Sequence, residues 1–225
     1  MNNIISNTGA QPHPDIEHYR LEPFIDLSAN SIIGYEVLSQ LREGLNPEQW
    51  FSRLSGRQQI MVLRQQIQRV SANVTETCFY NLSVAGFLSL NHCDIQAIAE
   101  YSHVCLEVAD ASALKCLNEK ERYFFFKNID RMRISGVKVW IDDFSVDDLI
   151  TLPAYEYHID GIKIDKKEIH TRHLKDIIRL IKKALGIIPV LIEGVESERE
   201  LHKGIASGAD IAQGYYWRHK TVIAV

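Results

Sequence analysis

The sequence predicts an α/β chain whose strands close into a (β/α)8 TIM-type barrel, with an open doubly wound sheet as the alternative. Short, nearly continuous apolar runs alternate with longer helical stretches, the pattern of parallel strands covered on the outside by helices. About seven or eight such units follow one another, which suits a compact barrel. A third pattern is positional: nearly every apolar run ends in an acidic or amide residue. In a barrel the C-terminal strand ends converge on one face.

The elements are expected in the following order. Residues 1–18 are polar, include Pro12 and Pro14, and read as a flexible leader; 19–225 read as a single domain, with no linker or internal repeat. The runs Tyr19–Leu27 and Ile32–Ser39 flank a turn-like SANS at 28–31 and are expected to pair antiparallel. Helical stretches follow at Pro47–Asn73, Ile95–Glu100, Leu114–Ile134, Lys167–Leu185 and Glu196–Ser207. Pro47 suits a first helical turn, with Asn46 as its cap. Between the helices lie the apolar runs 78–84, 103–110, 137–144, 159–165 and 188–195, and a short run at 210–217 ends the series.

Composition narrows the function. The 225 residues are 46% hydrophobic and 24% charged, which excludes disordered, collagen-like and coiled-coil chains. A chain of this size buries roughly 70% of its unfolded surface, enough for a core without staples. Cys78, Cys93, Cys105 and Cys116 lack CxxC spacing and read as free thiols. The net charge of −4, with no basic cluster, argues against a nucleic-acid duplex as partner. No apolar run approaches the length of a membrane span and the N-terminus lacks a signal-peptide pattern, so the expected location is cytoplasmic.

The strand-end residues carry the chemistry. Glu36, Asn81, Glu107, Asp142 with Asp143, Lys163 and Glu193 each close or follow a different apolar run. Carboxylates gathered on one face repel one another, and a cation resolves the repulsion. Hard oxygen ligands favour Mg²⁺ or Mn²⁺ over zinc, and no histidine pair has HExxH spacing. Any one of these acids is as readily a helix cap. An acid or amide at the end of so many buried runs is a poor coincidence.

The motifs YEVL (35–38), NLS (81–83), LEVAD (106–110), IDDF (141–144), KID (163–165), EGVE (193–196) and QGYYW (213–217) occur in that order, with Lys163 placed 21 residues after Asp142. In this the chain resembles the EAL domain, the cyclic di-GMP phosphodiesterase family, over residues 19–217. The resemblance implies a modified barrel with one early strand antiparallel. It also implies roles: Glu36, Asn81, Glu107 and Asp142 as ligands of a first metal, and Asp143 as ligand of a second. Lys163 matches the residue that orients or deprotonates the attacking water, Glu193 a further acid at the metals, and Gln213 a polar neighbour. Glu22, Gln40 and Gln213 match substrate-side positions, and Glu196 and Asp110 are expected to steady the loop after DDF. The implied cofactors are two Mg²⁺ or Mn²⁺ ions, with Ca²⁺ inhibitory. The implied partners are cyclic di-GMP, a second copy of the chain and a regulatory protein.

The sequence also departs from the family. The usual DDFGTGYSSL reads DDFSVDDLIT here, so Ser145 and Asp147 replace both glycines, which changes the conformations open to the loop. Gln40 stands where EALxR has an arginine, and an amide lacks a guanidinium's charged bidentate grip; Arg42 lies two residues on. Glu22 replaces the Gln of the YQP motif, and Asp110 the second Glu of ELTE. Two readings follow: a phosphodiesterase that linearises cyclic di-GMP to 5′-pGpG, or a weak or inactive receptor or partner-binding protein on the same barrel. The complete set of acids favours the enzyme.

Overall fold

The computed structural model describes residues 13–218 and 220–223. The leader expected at 1–18 falls mostly outside them, and the first strand begins at Ile16. Eight strands close a barrel: β1 (Ile16–Asp26), β2 (Ser31–Leu41), β3 (Cys78–Leu82), β4 (Val104–Val108), β5 (Lys138–Phe144), β6 (Gly161–Ile164), β7 (Val190–Ile192) and β8 (Ile211–Ala212). Strands β2 to β8 run parallel in sequence order; β1 is antiparallel to both β2 and β8 and closes the ring. The expected hairpin is present. Asp26 Oδ1 accepts from the Ser28 and Ala29 amides, both at 2.8 Å, and Asn30 takes a left-handed φ of 50°.

A ninth strand, β9 (Lys220–Ile223), pairs with His18–Leu21 on the edge of β1 that β8 leaves free. The sequence reading placed no strand there. It also expected β8 to be longer than Ile211–Ala212.

The helices are α1 (Pro47–Ser52), α2 (Gly56–Ser71), α3 (Val84–Ser89), α4 (His92–Ala99), α5 (Glu119–Ile134), α6 (Leu174–Leu185) and α7 (Glu198–Ser207). Three expected helices are each split, two of them because caps lie inside their apolar periodicity. Ser55 and Gln58 form a capping box that starts α2, so Pro47–Asn73 is two helices. Asn118 with Glu121 starts α5, leaving a separate 3₁₀ turn at Ala111–Cys116. Another 3₁₀ turn, Lys166–His170, precedes α6. Neither α3 nor the 3₁₀ stretch Val146–Tyr155 was anticipated.

Side-chain alternation divides the strand residues between two cores. Outward residues such as Tyr80, Leu106, Val139, Ile162 and Ile192 pack against the helices. Inward residues Phe24, Phe79, Cys105, Trp140, Leu191 and Ile211 plug the barrel. Phe79 bridges Phe24 and Trp140, with ring centroids 4.6 and 5.2 Å away. The plug fits because β6 contributes Gly161 at its inward position: a Cβ there would lie 2.4 Å from the Trp140 indole.

Replacing Gly161 by Ala is therefore expected to overpack the plug and cost roughly 1–3 kcal/mol in chemical denaturation. Adding Trp140→Phe should recover part of that loss.

Candidate metal centre and active site

The polar residues of the barrel mouth are the next inward positions above the plug. Glu36 follows Gly34 on β2, Asn81 follows Phe79, Glu107 follows Cys105, and Asp142 follows Trp140. Lys163 follows Gly161, Glu193 follows Leu191, and Gln213 follows Ile211. Strand β1 runs the other way, and its Glu22 stands opposite Glu36 in the ladder. Asp143 should point outward by alternation. It is brought to the mouth by an irregularity between Ile141 and Phe144 in the β5–β6 pairing, and its own φ is 52°. Its amide donates to Asp142 Oδ1 at 3.0 Å, and a carboxylate oxygen from each of Asp142, Asp143 and Glu193 falls within a span of 4.8 Å.

Lys163 is fully buried at the centre. Its Nζ lies 2.8 Å from Glu193, 3.0 Å from Asp142, 3.2 Å from Glu36 and 3.3 Å from Glu107. Burial disfavours the ammonium, but the four carboxylates outweigh it and hold the lysine well above its ordinary range. The acids respond unequally. Burial and mutual repulsion push Glu193 up to about 8, Asp142 to about 6, and Glu107 well above the carboxylate range. Glu36 is also buried, yet it stays below its ordinary value, because Lys163, Gln213 and Asn81 all contact its carboxylate. Asn81 Nδ2 donates to one oxygen at 2.7 Å, and Gln213 Nε2 donates to the other at 2.7 Å and to Glu22 at 3.1 Å.

The residues fit a divalent cation. One lysine balances only part of the charge around it. Three buried oxygens at the mouth, Asn81 Oδ1, Glu107 Oε1 and Gln213 Oε1, have no hydrogen-bond partner. All three are acceptors, the chemistry that a hard cation satisfies. Oxygens of Glu36, Glu107 and Asp142 also lie within 4.8 Å of one another. While the carboxylates are unneutralised, Lys163 keeps its proton.

Some expected residues stand apart. Gln40 is half-buried on β2 opposite His18, four residues beyond Glu36, and Arg42 is exposed past the end of β2. Asp110 accepts from the Val84 amide at 2.6 Å and so fastens the start of α3, while Glu196 is exposed. The segment after Phe144 is held by residues the sequence reading missed. Buried Glu168 accepts from the Val146 amide and from Thr171 Oγ1, both at 3.0 Å. Ser145 and Asp148 form a capping box, and Lys115 bridges Asp148 Oδ1 at 2.8 Å and the Asp147 carbonyl at 3.1 Å. Glu168 and Lys115 sit in polar stretches, and nothing in their spacing sets them apart.

Two predictions follow from this geometry. Between pH 5 and 8 the folded, metal-free chain holds protons on Asp142 and Glu193 that the unfolded chain has released, so stability falls as pH rises. Thermal melts in EDTA should therefore give a lower midpoint at pH 8 than at pH 6, and added Mn²⁺ should reverse the trend. Glu168→Ala removes an anchor immediately behind the two adjacent aspartates, and titration should show Mn²⁺ binding weakened about 10-fold or more.

The chain and its barrel resemble known proteins. The sequence model of the EAL domain fits residues 17–220. "Probable cyclic di-GMP phosphodiesterase PdeI" of Escherichia coli is 32% identical over 124 residues, 51% of this chain and 15% of that protein. "Cyclic di-GMP phosphodiesterase RocR" of Pseudomonas aeruginosa is 33% identical over 96 residues, 40% of this chain and 24% of that protein. The chain thus matches less than a quarter of the length of either relative. Among solved structures, Klebsiella pneumoniae BlrP1 with calcium and cyclic di-GMP superposes with a TM-score of 0.72 at 17% identity, covering 92% of this chain and 56% of that one. A standalone EAL protein of Vibrio cholerae, bound to cyclic di-GMP, gives 0.69 at 19% identity over 94% and 95% of the two chains. At such identities the structural likeness establishes the fold, and the sequence model, which covers β2 to β8 and all but the first residue of β1, establishes that the chain belongs to the EAL domain family.

Proposed function

We propose that the chain hydrolyses cyclic di-GMP to linear 5′-pGpG in the cytoplasm, using two divalent cations. The observation that carries this reading is the buried lysine shared by four carboxylates at the barrel mouth, with orphaned acceptor oxygens beside them. Glu36, Asn81, Glu107 and Asp142 would hold one cation, and Asp142, Asp143 and Glu193 a second. When bound, the cations supply Lewis-acid polarisation of the phosphodiester and a water of lowered pKa.

The chain's own residues do the rest. Glu36 is fixed by Asn81 and Gln213, so a ligand oxygen is placed before any cation arrives. Lys163 is held on the lumen axis by contacts from β2, β4, β5 and the end of β7. Once cations take up the carboxylate charge, its pKa falls and it can orient the attacking water and accept its proton. The water oxygen bonds to phosphorus as its proton passes to Lys163, the bond to the 3′-oxygen breaks, and that oxygen takes a proton from solvent and leaves as a hydroxyl. The apolar plug beneath keeps bulk water from entering through the barrel.

A receptor that binds without cutting is favoured by one observation: Gln40, where the EALxR motif of the family has an arginine, carries no charge. Hydrolysis of cyclic di-GMP by purified protein decides between the two. With Mg²⁺ or Mn²⁺ the expected product is 5′-pGpG, and Ca²⁺ is expected to suppress it. Lys163→Ala should lower turnover by about 10²–10⁴-fold, and Glu36→Ala should do at least as much, each checked for folding by circular dichroism. Binding of cyclic di-GMP with no product under any metal would overturn the enzyme and leave the receptor.

A further inference from the structure

The barrel mouth holds one more charged group, and its donors are only partly used. Because β1 runs antiparallel to its neighbours, residues before Glu22 lie further toward the open face. Alternation puts Phe24, Glu22 and Arg20 on the same side of the strand. The contacts agree. Phe24 belongs to the plug, Arg20 Nη2 pairs with Glu22 Oε1 at 2.7 Å, and Glu22 Oε2 accepts from Gln213 at 3.1 Å. The same amide donates to Glu36 at 2.7 Å. Arg20 stands opposite Leu38, one inward step beyond the Glu22–Glu36 pair; Gln40 stands opposite His18, a further step out.

A guanidinium offers five N–H donors in a planar fork. Glu22 engages Nη2, while Nε is buried from solvent with no hydrogen-bond partner. Leaving a buried donor unpaired is unfavourable, and the Arg20 side chain is 27% exposed, so an acceptor at the mouth can reach the guanidinium. Lys163 cannot do this for an anion, because its charge is spent on four carboxylates. We infer that Arg20 is a phosphate contact of this site, gripping non-bridging oxygens of the cyclic dinucleotide from β1. Glu22 orients the guanidinium and links it through Gln213 to Glu36. The phosphate grip and a metal-side carboxylate thus belong to one hydrogen-bonded chain. The inference rests on the proposed cyclic di-GMP reading.

The test is calorimetric titration of cyclic di-GMP in Ca²⁺, on wild type, Arg20→Gln, Arg20→Lys, Glu22→Gln and the Glu22→Gln/Arg20→Gln double variant. Arg20→Gln is expected to weaken binding about 10- to 100-fold, the range for a charge-assisted hydrogen bond. The loss should persist when Glu22 is already Gln, because the contact is to ligand. Arg20→Lys should recover part of it, and kinetics in Mg²⁺ should show a raised KM with kcat changed far less. If Arg20 is only the counter-ion of Glu22, Arg20→Gln will cost nothing in the Glu22→Gln background, and the inference falls. The double variant removes both charges together, so it decides the matter even if Arg20→Gln alone fails to fold. A wild-type chain that neither binds nor cuts cyclic di-GMP would overturn the function reading itself, and the inference with it.

Discussion

One buried ammonium allows four carboxylates to occupy the same barrel mouth. Taking any of these charges out of water is costly unless a partner compensates. Lys163 compensates all four from a single point that no solvent reaches. The compensation is incomplete: burial first, and repulsion among the acids second, raise Glu107, Glu193 and Asp142 above the carboxylate range. Unspent negative charge and orphaned acceptor oxygens are chemistry that hard cations fit. The lysine keeps the mouth foldable without them.

The position of that ammonium depends on the layer beneath it. Trp140 and Phe79 fill the lumen, and the absence of a side chain at Gly161 lets the indole sit against β6. Lys163 is then the next inward residue on the same strand. The plug therefore sets both the depth of the charged layer and its dryness. Low polarity below and at the sides strengthens each of the contacts above. The antiparallel β1 contributes from the opposite chain direction, so residues that precede Glu22 reach the mouth where on other strands the residues that follow would do so.

The segment after Phe144 shows how a departure from a family pattern is accommodated. Glycines give way to Ser145 and Asp147, and the backbone is held instead from two sides. The Glu168 carboxylate holds it from the β6 side, and Lys115, from the 3₁₀ turn after β4, holds it through Asp148. The left-handed conformation at Asp143 lies immediately upstream of this clasp. Positive φ at a non-glycine residue persists only where the surroundings impose it, and the Asp143 amide is itself tied to Asp142 Oδ1.

The acids, the amide and the lysine were legible in the sequence because each sits where an apolar strand ends, and a barrel brings such ends together whatever the helices do between them. The hairpin was legible from a short polar turn between two β-rich runs. Helix boundaries were not: Ser55 and Asn118 cap from within runs whose hydrophobic period continues across them. Strand β9 was hidden because its partner is the far end of the chain, and a pairing between residues 18–21 and 220–223 has no local signature. The same holds for the partners of the clasp and of Arg20. Composition and period determined which residues could meet at one face, since alternation along a strand is a local property. Tertiary structure alone decided which of them share charge and which hold a backbone amide, because distances between side chains on separate strands are set by ring closure and by the packing of the lumen.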